Sequence, residues 1–345
     1  MRLRALSFGL LLALALLTGC GGGDGPSASG TTVQGEAAST DETAPPAVVE
    51  IDPAVVFTAT DYEKRVAKAI PVDGQPDFNT VAFGAVWVAN FGTGTLDRID
   101  PPRNKVVARV EVGDSCAAIA SGFGSIWVPV CGDEPAVVRV DAKTTKVAAR
   151  IPVNEVLGES GLGVDETGAW LLTAASGELS RLDPDTNQIA ATYTVADGSS
   201  VVTTGFGSVW VANTNTNAVQ RVDPSSGEIL ATIPVGEGPR FMAAGEGALW
   251  VTNQTSGDLS RIDPETNEVV ATIDIGEYFQ GGDVEAGLGS VWAATGDGPL
   301  SRIDPALNTV VEHYEENGAD AIAIGEGAVW ISDHNVKTVF RIPTD

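Results

Sequence analysis

Histidine and methionine each occur only twice among 345 residues, cysteine three times, and basic residues number 20 against 46 acidic ones. Each scarcity closes off a class of chemistry. Two histidines, His313 and His334, are too few for a histidine-rich metal centre, and no serine sits in the glycine-flanked elbow of an activated hydrolase nucleophile. A formal charge of −26 opposes binding to phosphate backbones, which depends on Lys and Arg neutralising charge. No nucleic-acid partner is expected. The same charge favours a cation or a basic peptide, and it also serves solubility. No stretch carries an apolar period of 3.6 over a useful length, which excludes a helical domain. No pattern for docking a quinone or ligating haem is present, so no cofactor is demanded.

Long apolar runs are absent after the first twenty residues, where Arg2 and Arg4 precede the run Ala5 to Leu17. About 13 residues are too few to span a ~30 Å hydrocarbon core and fit the apolar region of an export signal. The run ends in Leu17-Thr18-Gly19-Cys20, which resembles the lipobox of bacterial lipoproteins. That resemblance implies removal of residues 1–19, a lipid on Cys20 and an extracytoplasmic domain anchored to a bacterial cell membrane. Loss of the two arginines and no acid takes the formal charge from −26 to −28. Residues 20–53 hold Gly, Ser, Thr, Ala, Pro and acids with almost no large apolar residue, so they read as a flexible linker. A chain of ~33 such residues reaches roughly 30 Å. Residues 54–345 are left for the folded domain.

What is present in that domain is a repeat. The tryptophans Trp87, Trp127, Trp170, Trp210, Trp250, Trp292 and Trp330 are spaced 40, 43, 40, 40, 42 and 38 residues apart. A period near 40 means an array of one supersecondary unit. Within Ala244 to Gly276, short apolar runs bounded by Gly, Asn and Asp-Pro predict four strands, here lettered a to d. Gly-x-Gly between a and b supplies the positive φ of a tight hairpin, and Asp-Pro-x-x-Asn between c and d makes a second turn. Thr145 stands in place of that Asn in the second unit. A β-branched residue is poor there, so a distorted turn is expected. The wide gap of 43 points to an irregular third unit, with Asp165-Glu166-Thr167 in its a–b turn. Cys116 and Cys131 flank the turn Phe123-Gly124 symmetrically and are expected to face each other as a disulfide, the alternative being two buried small residues. Seven arginines follow the tryptophans at a spacing of 10 to 12: Arg98, Arg139, Arg181, Arg221, Arg261, Arg302 and Arg341. They read as a structural ion-pair or stacking position, and the tryptophans as wedges between sheets.

Seven four-stranded units predict an all-β, seven-bladed β-propeller. The last unit stops after strand c, and Arg65 to Val72 resembles the missing strand d. An N-terminal strand then completes the last blade and closes the ring. Units such as Pro239 to Gly276 resemble the YVTN-type repeat of bacterial surface propellers and the related propeller of streptogramin B lyases, over about residues 63 to 345. The lyase resemblance implies histidine and glutamate with Mg²⁺ at the channel mouth. This chain departs from it, because its innermost strands carry no histidine and only Asp333-His334 lies near a comparable place.

Variation between units concentrates in the d–a and b–c loops, which share one face of the disc. There the starts of strand a carry Asp77 and Phe78, Arg240 and Phe241, Asp283 with Glu285, and Asp320, and the end of strand b carries Asp333 with His334. These are the candidate ligand-binding residues, to which Glu312, His313, Tyr314, Glu315 and Glu316 lie close in sequence. Oxygen-rich groups with one imidazole suit a divalent cation, while solvated loop acids need none. The expected function is a tethered, non-catalytic module that binds a small ligand or a cell-envelope protein at the mouth. The alternative is a cation-assisted lyase or hydrolase.

Overall fold

The computed structural model describes residues 48–49, 56–296, 298–315 and 318–344. The export signal, Cys20 and most of the linker lie outside the described residues, as does Glu316.

Apart from the short helix Ala59–Arg65 the described chain is strands and turns. Seven antiparallel sheets form, each ordered a-b-c-d from sequence-adjacent strands, except the last. Strand a of blade 1 is Gln75–Ala82, of blade 5 Pro239–Gly245, of blade 6 Asp283–Gly287 and of blade 7 Ala321–Gly325. Lys68–Pro71 pairs with Thr338–Pro343 and supplies strand d of blade 7, so the ring is latched by its two ends as the sequence predicts. Part of the expected linker is structured. Within it Val48–Val49 runs parallel to strand d of blade 5, and at the start of the expected domain Val56–Phe57 runs parallel to strand d of blade 6. The outer strand of each blade has open N–H and C=O groups, and these two-residue strands pair with part of that edge on two blades.

The tryptophans lie in strand b and are at most 2% exposed. Each is the cross-strand partner of the arginine in strand c, as in Trp210 with Arg221, which is why the two recur at a fixed interval. In six blades the guanidinium lies over the indole, 4.9 to 6.0 Å from its centroid, a cation–π geometry. Among the described residues a strand-c arginine of the repeat forms an ion pair only in blade 6, from Arg302 to Glu312 at 2.7 Å. In blades 2, 4, 5 and 7 the arginine reaches the next blade, whereas Arg181 donates to Thr167 O of its own blade. Arg221 donates to the Pro264 carbonyl and to Asn267 Oδ1, Arg261 to Pro305 and Asn308, and Arg341 to Pro101 and Asn104. The c–d Asn is therefore more than a turn former; it receives the neighbouring blade.

Three local expectations change. Thr145 adopts φ 56° with the hydrogen bond Thr145 N–H to Asp141 O at 2.8 Å, matching Asn187 to Asp183 at 2.9 Å. The turn is undistorted, because Asp141 also accepts from Thr144 N–H and its hydroxyl and these bonds outweigh the β-branched penalty. In the a–b turns, positive φ falls on the middle residue and the second glycine, as at Phe123 and Gly124. The first glycine serves space: a Cβ at Gly205 would lie 2.2 Å from Ala244 Cβ in the next blade. Finally, Trp170 follows Asp165 by the same five residues that separate Trp127 from Gly122, with Asp165 Oδ1 accepting the indole N–H that Gly122 O accepts in blade 2. Two of the three extra residues behind the gap of 43 lie instead in the d–a loop 153–161, between strands ending at Pro152 and starting at Leu162, and one in the b–c turn 131–135 of blade 2.

Candidate functional site

Strand a is innermost, so its first residues ring one mouth of the channel. A cavity of about 470 Å³ opens there. Blade 1 contributes Gln75, Asp77 and Phe78 from strand a and Phe91 from the end of strand b. The d–a loops add Cys116, Gly158 and Glu159, then Gln280 to Gly282, then Asp320, while the b–c turns add Gly296 and His334. All belong to the variable face.

The floor is aromatic. Phe78 of blade 1 and Phe241 of blade 5 are 4% and 3% exposed, and their rings meet with centroids 6.4 Å apart. These blades are not neighbours in the ring, so the pair closes the channel from opposite walls. Arg240 reaches across in the same way, donating from Nη2 to Gly158 O at 3.3 Å. Phe78 faces both the mouth cavity and the narrow remainder of the channel, about 200 Å³, where Phe241, Asp283 and Glu285 lie.

Low polarity beneath the mouth alters its acids. Burial, reinforced by Glu159, Asp320 and Asp283, pushes the Asp77 carboxyl up to about 7. Asp283 is likewise raised to about 7 by burial, against the opposing N–H bonds from Ile322 and Val284. Burial and then Asp283 raise Glu285 to about 8. These acids lose solvation and repel one another, and both effects favour the protonated form. Arg240 is shifted down by burial while Glu159 opposes the shift.

Asp320 and His334 form a pair: Nδ1 lies 2.8 Å from Asp320 Oδ2, which also accepts the His334 backbone N–H at 2.8 Å. Asp333 stands apart from the cavity. Its Oδ1 accepts from the N–H groups of Asn335 and Val336, so it holds the b–c turn at the position where other blades use Asn213 or Asn253. His313 lies in strand d of blade 6, bonded to Ser301 at 2.8 Å, and Glu312 pairs with Arg302 and Arg65. Sequence proximity to Asp320 does not bring either to the mouth.

Glu159 is the mouth acid that the repeat pattern misses. It sits in loop 153–161 at φ 60°, its N–H donating to Cys116 O at 2.7 Å, with Ala118 N–H donating to Ser160 O at 2.8 Å. Cys116 and Cys131 form the expected disulfide, Cα atoms 5.9 Å apart, and so tie down the loop that carries Glu159. The gap of 43 residues was its available signal. Among the described residues no three of His, Cys, Asp and Glu converge to hold a metal ion. The donor set therefore does not fit a divalent centre of the lyase kind. No described helix is long and apolar enough to cross a membrane.

Residues 130–281 match a family described as a domain of unknown function (DUF5074), over less than half of the chain. No curated protein matches. Among solved structures the chain is similar to a streptogramin B lyase, with 20% identity and a TM-score of 0.69, covering 80% of this chain and 97% of that one. It is also similar to the computationally designed Ika8 protein, with 10% identity and a TM-score of 0.59 over 80% of this chain and 99% of that one. Identities this low establish architecture alone: the chain is a seven-bladed β-propeller similar to that of streptogramin B lyase.

Proposed function

We propose that this propeller is a membrane-tethered, extracytoplasmic module that binds a small ligand, or an exposed segment of a cell-envelope protein, at the channel mouth without transforming it. The observation that carries this reading is the Phe78–Phe241 floor beneath the 470 Å³ cavity. A cavity of that size falls within the range of small-molecule sites, and its floor makes the mouth the route in and out. The remaining face carries near-identical turns and offers little to distinguish one partner from another. The test is a thermal-shift screen of the full-length chain, followed by hydrogen exchange with each hit. Protection should concentrate in residues 75–78, 157–160 and 280–282, with the ligand recovered chemically unchanged. Protection confined to the opposite face would sink the proposal.

One observation favours a second reading. The Asp320–His334 pair lines the cavity, and a histidine oriented through Nδ1 by a carboxylate has Nε2 as a proton acceptor. That arrangement suits a lyase or hydrolase, streptogramin B being the substrate suggested by the similar fold. Conversion of a streptogramin B to a new chromatographic species, lost in His334→Ala, would favour catalysis over simple binding.

A further inference from the structure

We infer that the mouth binds an aliphatic amine with two or more separated ammonium groups, held by Asp77, Glu159 and Asp320, its methylene chain lying against Phe78 and Phe91. This inference rests on the binding reading and names its ligand class.

Charge is the first ground. Among the described residues the mouth is lined by no lysine or arginine, although Arg240 lies close by, donating to Gly158 O and acting on Glu159, whereas carboxylates arrive from blade 1, loop 153–161 and the loop before blade 7. Asp77 is the least compensated of them. It is influenced by burial and by three like charges, with no hydrogen-bond donor from the described protein. Two residues along the same strand, Asn79 is 7% exposed and lines the channel; its Oδ1 is buried with no partner among the described residues. Buried acceptors without donors are costly in a native structure. An ammonium brings three donors and no acceptor.

Spacing is the second ground. Acids that do not converge on one ion are matched by charges that are themselves separated. Phe91, 49% exposed, and the buried Phe78 give the wall an apolar surface for methylene groups, and their ring faces attract ammonium. A single hard cation would gain nothing from these rings.

Proton linkage follows from the same geometry. Glu159, Asp320 and Asp283 face Asp77, Arg240 stands beside Glu159, and His334 beside Asp320. In the free protein Asp77 and Asp283 hold protons up to about pH 7. An ammonium favours the ionised form, so binding releases protons and strengthens as pH rises from 6 to 8.

Titration calorimetry on the full-length chain tests this with spermidine and 1,4-diaminobutane, using 1,4-butanediol and calcium chloride as controls. Both amines should bind at pH 8 and about tenfold more weakly at pH 6, with butanediol silent. Asp77→Asn and Glu159→Gln should each weaken spermidine about tenfold, whereas Glu228→Gln, on an exposed turn of the opposite face, should not. Loss of binding in Asp77→Asn will not mean loss of folding, since removing an uncompensated buried charge should leave the melting temperature at pH 8 equal or higher. Absent amine binding, equal binding of butanediol, or unchanged affinity in both mouth variants would overturn the inference. If calcium or only neutral compounds bind at the mouth, the amine is excluded while the binding reading stands.

Discussion

The two faces of this disc are built from the same seven units and follow opposite rules. On the turn face six of the seven arginines stack on their own tryptophans, and several carry a hydrogen bond into the next blade's Pro-x-x-Asn turn. Five of these arginines, Arg98, Arg181, Arg261, Arg302 and Arg341, leave Nε without an acceptor among the described residues, yet the same contacts recur from blade to blade, so the sequence repeats. On the mouth face loops of unequal length bring together acids that repel one another above a floor of two rings. Polar groups are left without protein partners, and the sequence varies. Recurrent contacts mark the repeated face and mutually repelling carboxylates the variable one, which is why a functional site is sought at the mouth.

Substitutions on the two faces should therefore differ in kind. The largest loss is expected from Trp210→Ala, which empties a wedge of zero exposure and should cost about 3–5 kcal/mol in denaturant unfolding; spermidine affinity in the surviving folded fraction should stay near wild type. Replacing Cys116 and Cys131 with serine should cost roughly 3 kcal/mol for a loop of this length. Unlike the tryptophan change it should also weaken mouth binding, because Glu159 N–H is bonded to Cys116 O.

Next comes pH. Asp77, Asp283 and Glu285 have folded-state values raised to about 7, 7 and 8, above those of an unfolded chain. Their contribution is fully present below about pH 4 and is lost as pH rises through 7 to 8. The ligand-free protein should thus lose about 2 kcal/mol between pH 5 and pH 8.5, after allowance for water in the cavity, and Asp77→Asn with Glu285→Gln should flatten the slope. Thermal unfolding across that range checks it; a slope of opposite sign would contradict the burial of these acids.

The smallest effects sharpen the comparison most. Arg221→Ala should cost about 1–2 kcal/mol, since it strands Asn267 Oδ1 and the Pro264 carbonyl. Arg98 stacks on Trp87, and the next blade's turn carries Thr145 where the others carry an amide or glycine, so Arg98→Ala should cost less. Thr145→Asn should stabilise by about 1 kcal/mol, both by suiting φ 56° and by offering Arg98 the acceptor that other blades have.

The architecture was legible because a repeat writes its core seven times: tryptophan in strand b, arginine opposite it, glycine where innermost strands crowd. Closure was legible because the last unit lacks a strand that the N-terminal segment supplies. At the mouth, Asp77, Phe78, Asp320 and His334 were readable as departures from the repeat, and the structure brings them to one cavity. Asp333 was a departure for a different reason, holding a turn. Glu312 and His313 were near Asp320 in sequence, but strand d carries them to the rim.

Sequence by itself determined the number of blades, the position of each tryptophan and arginine, the cysteine pair and the sign of the charge, because these follow from local period and turn chemistry. Only the tertiary structure decided that Phe78 and Phe241 meet across the channel, that Glu159 joins Asp77, Asp283 and Asp320, and that Val48–Val49 pairs with blade 5. Those contacts join residues up to some 240 positions apart in blades that are not chain neighbours. No local pattern records a distance across the centre of a ring; it exists only once the ring has closed.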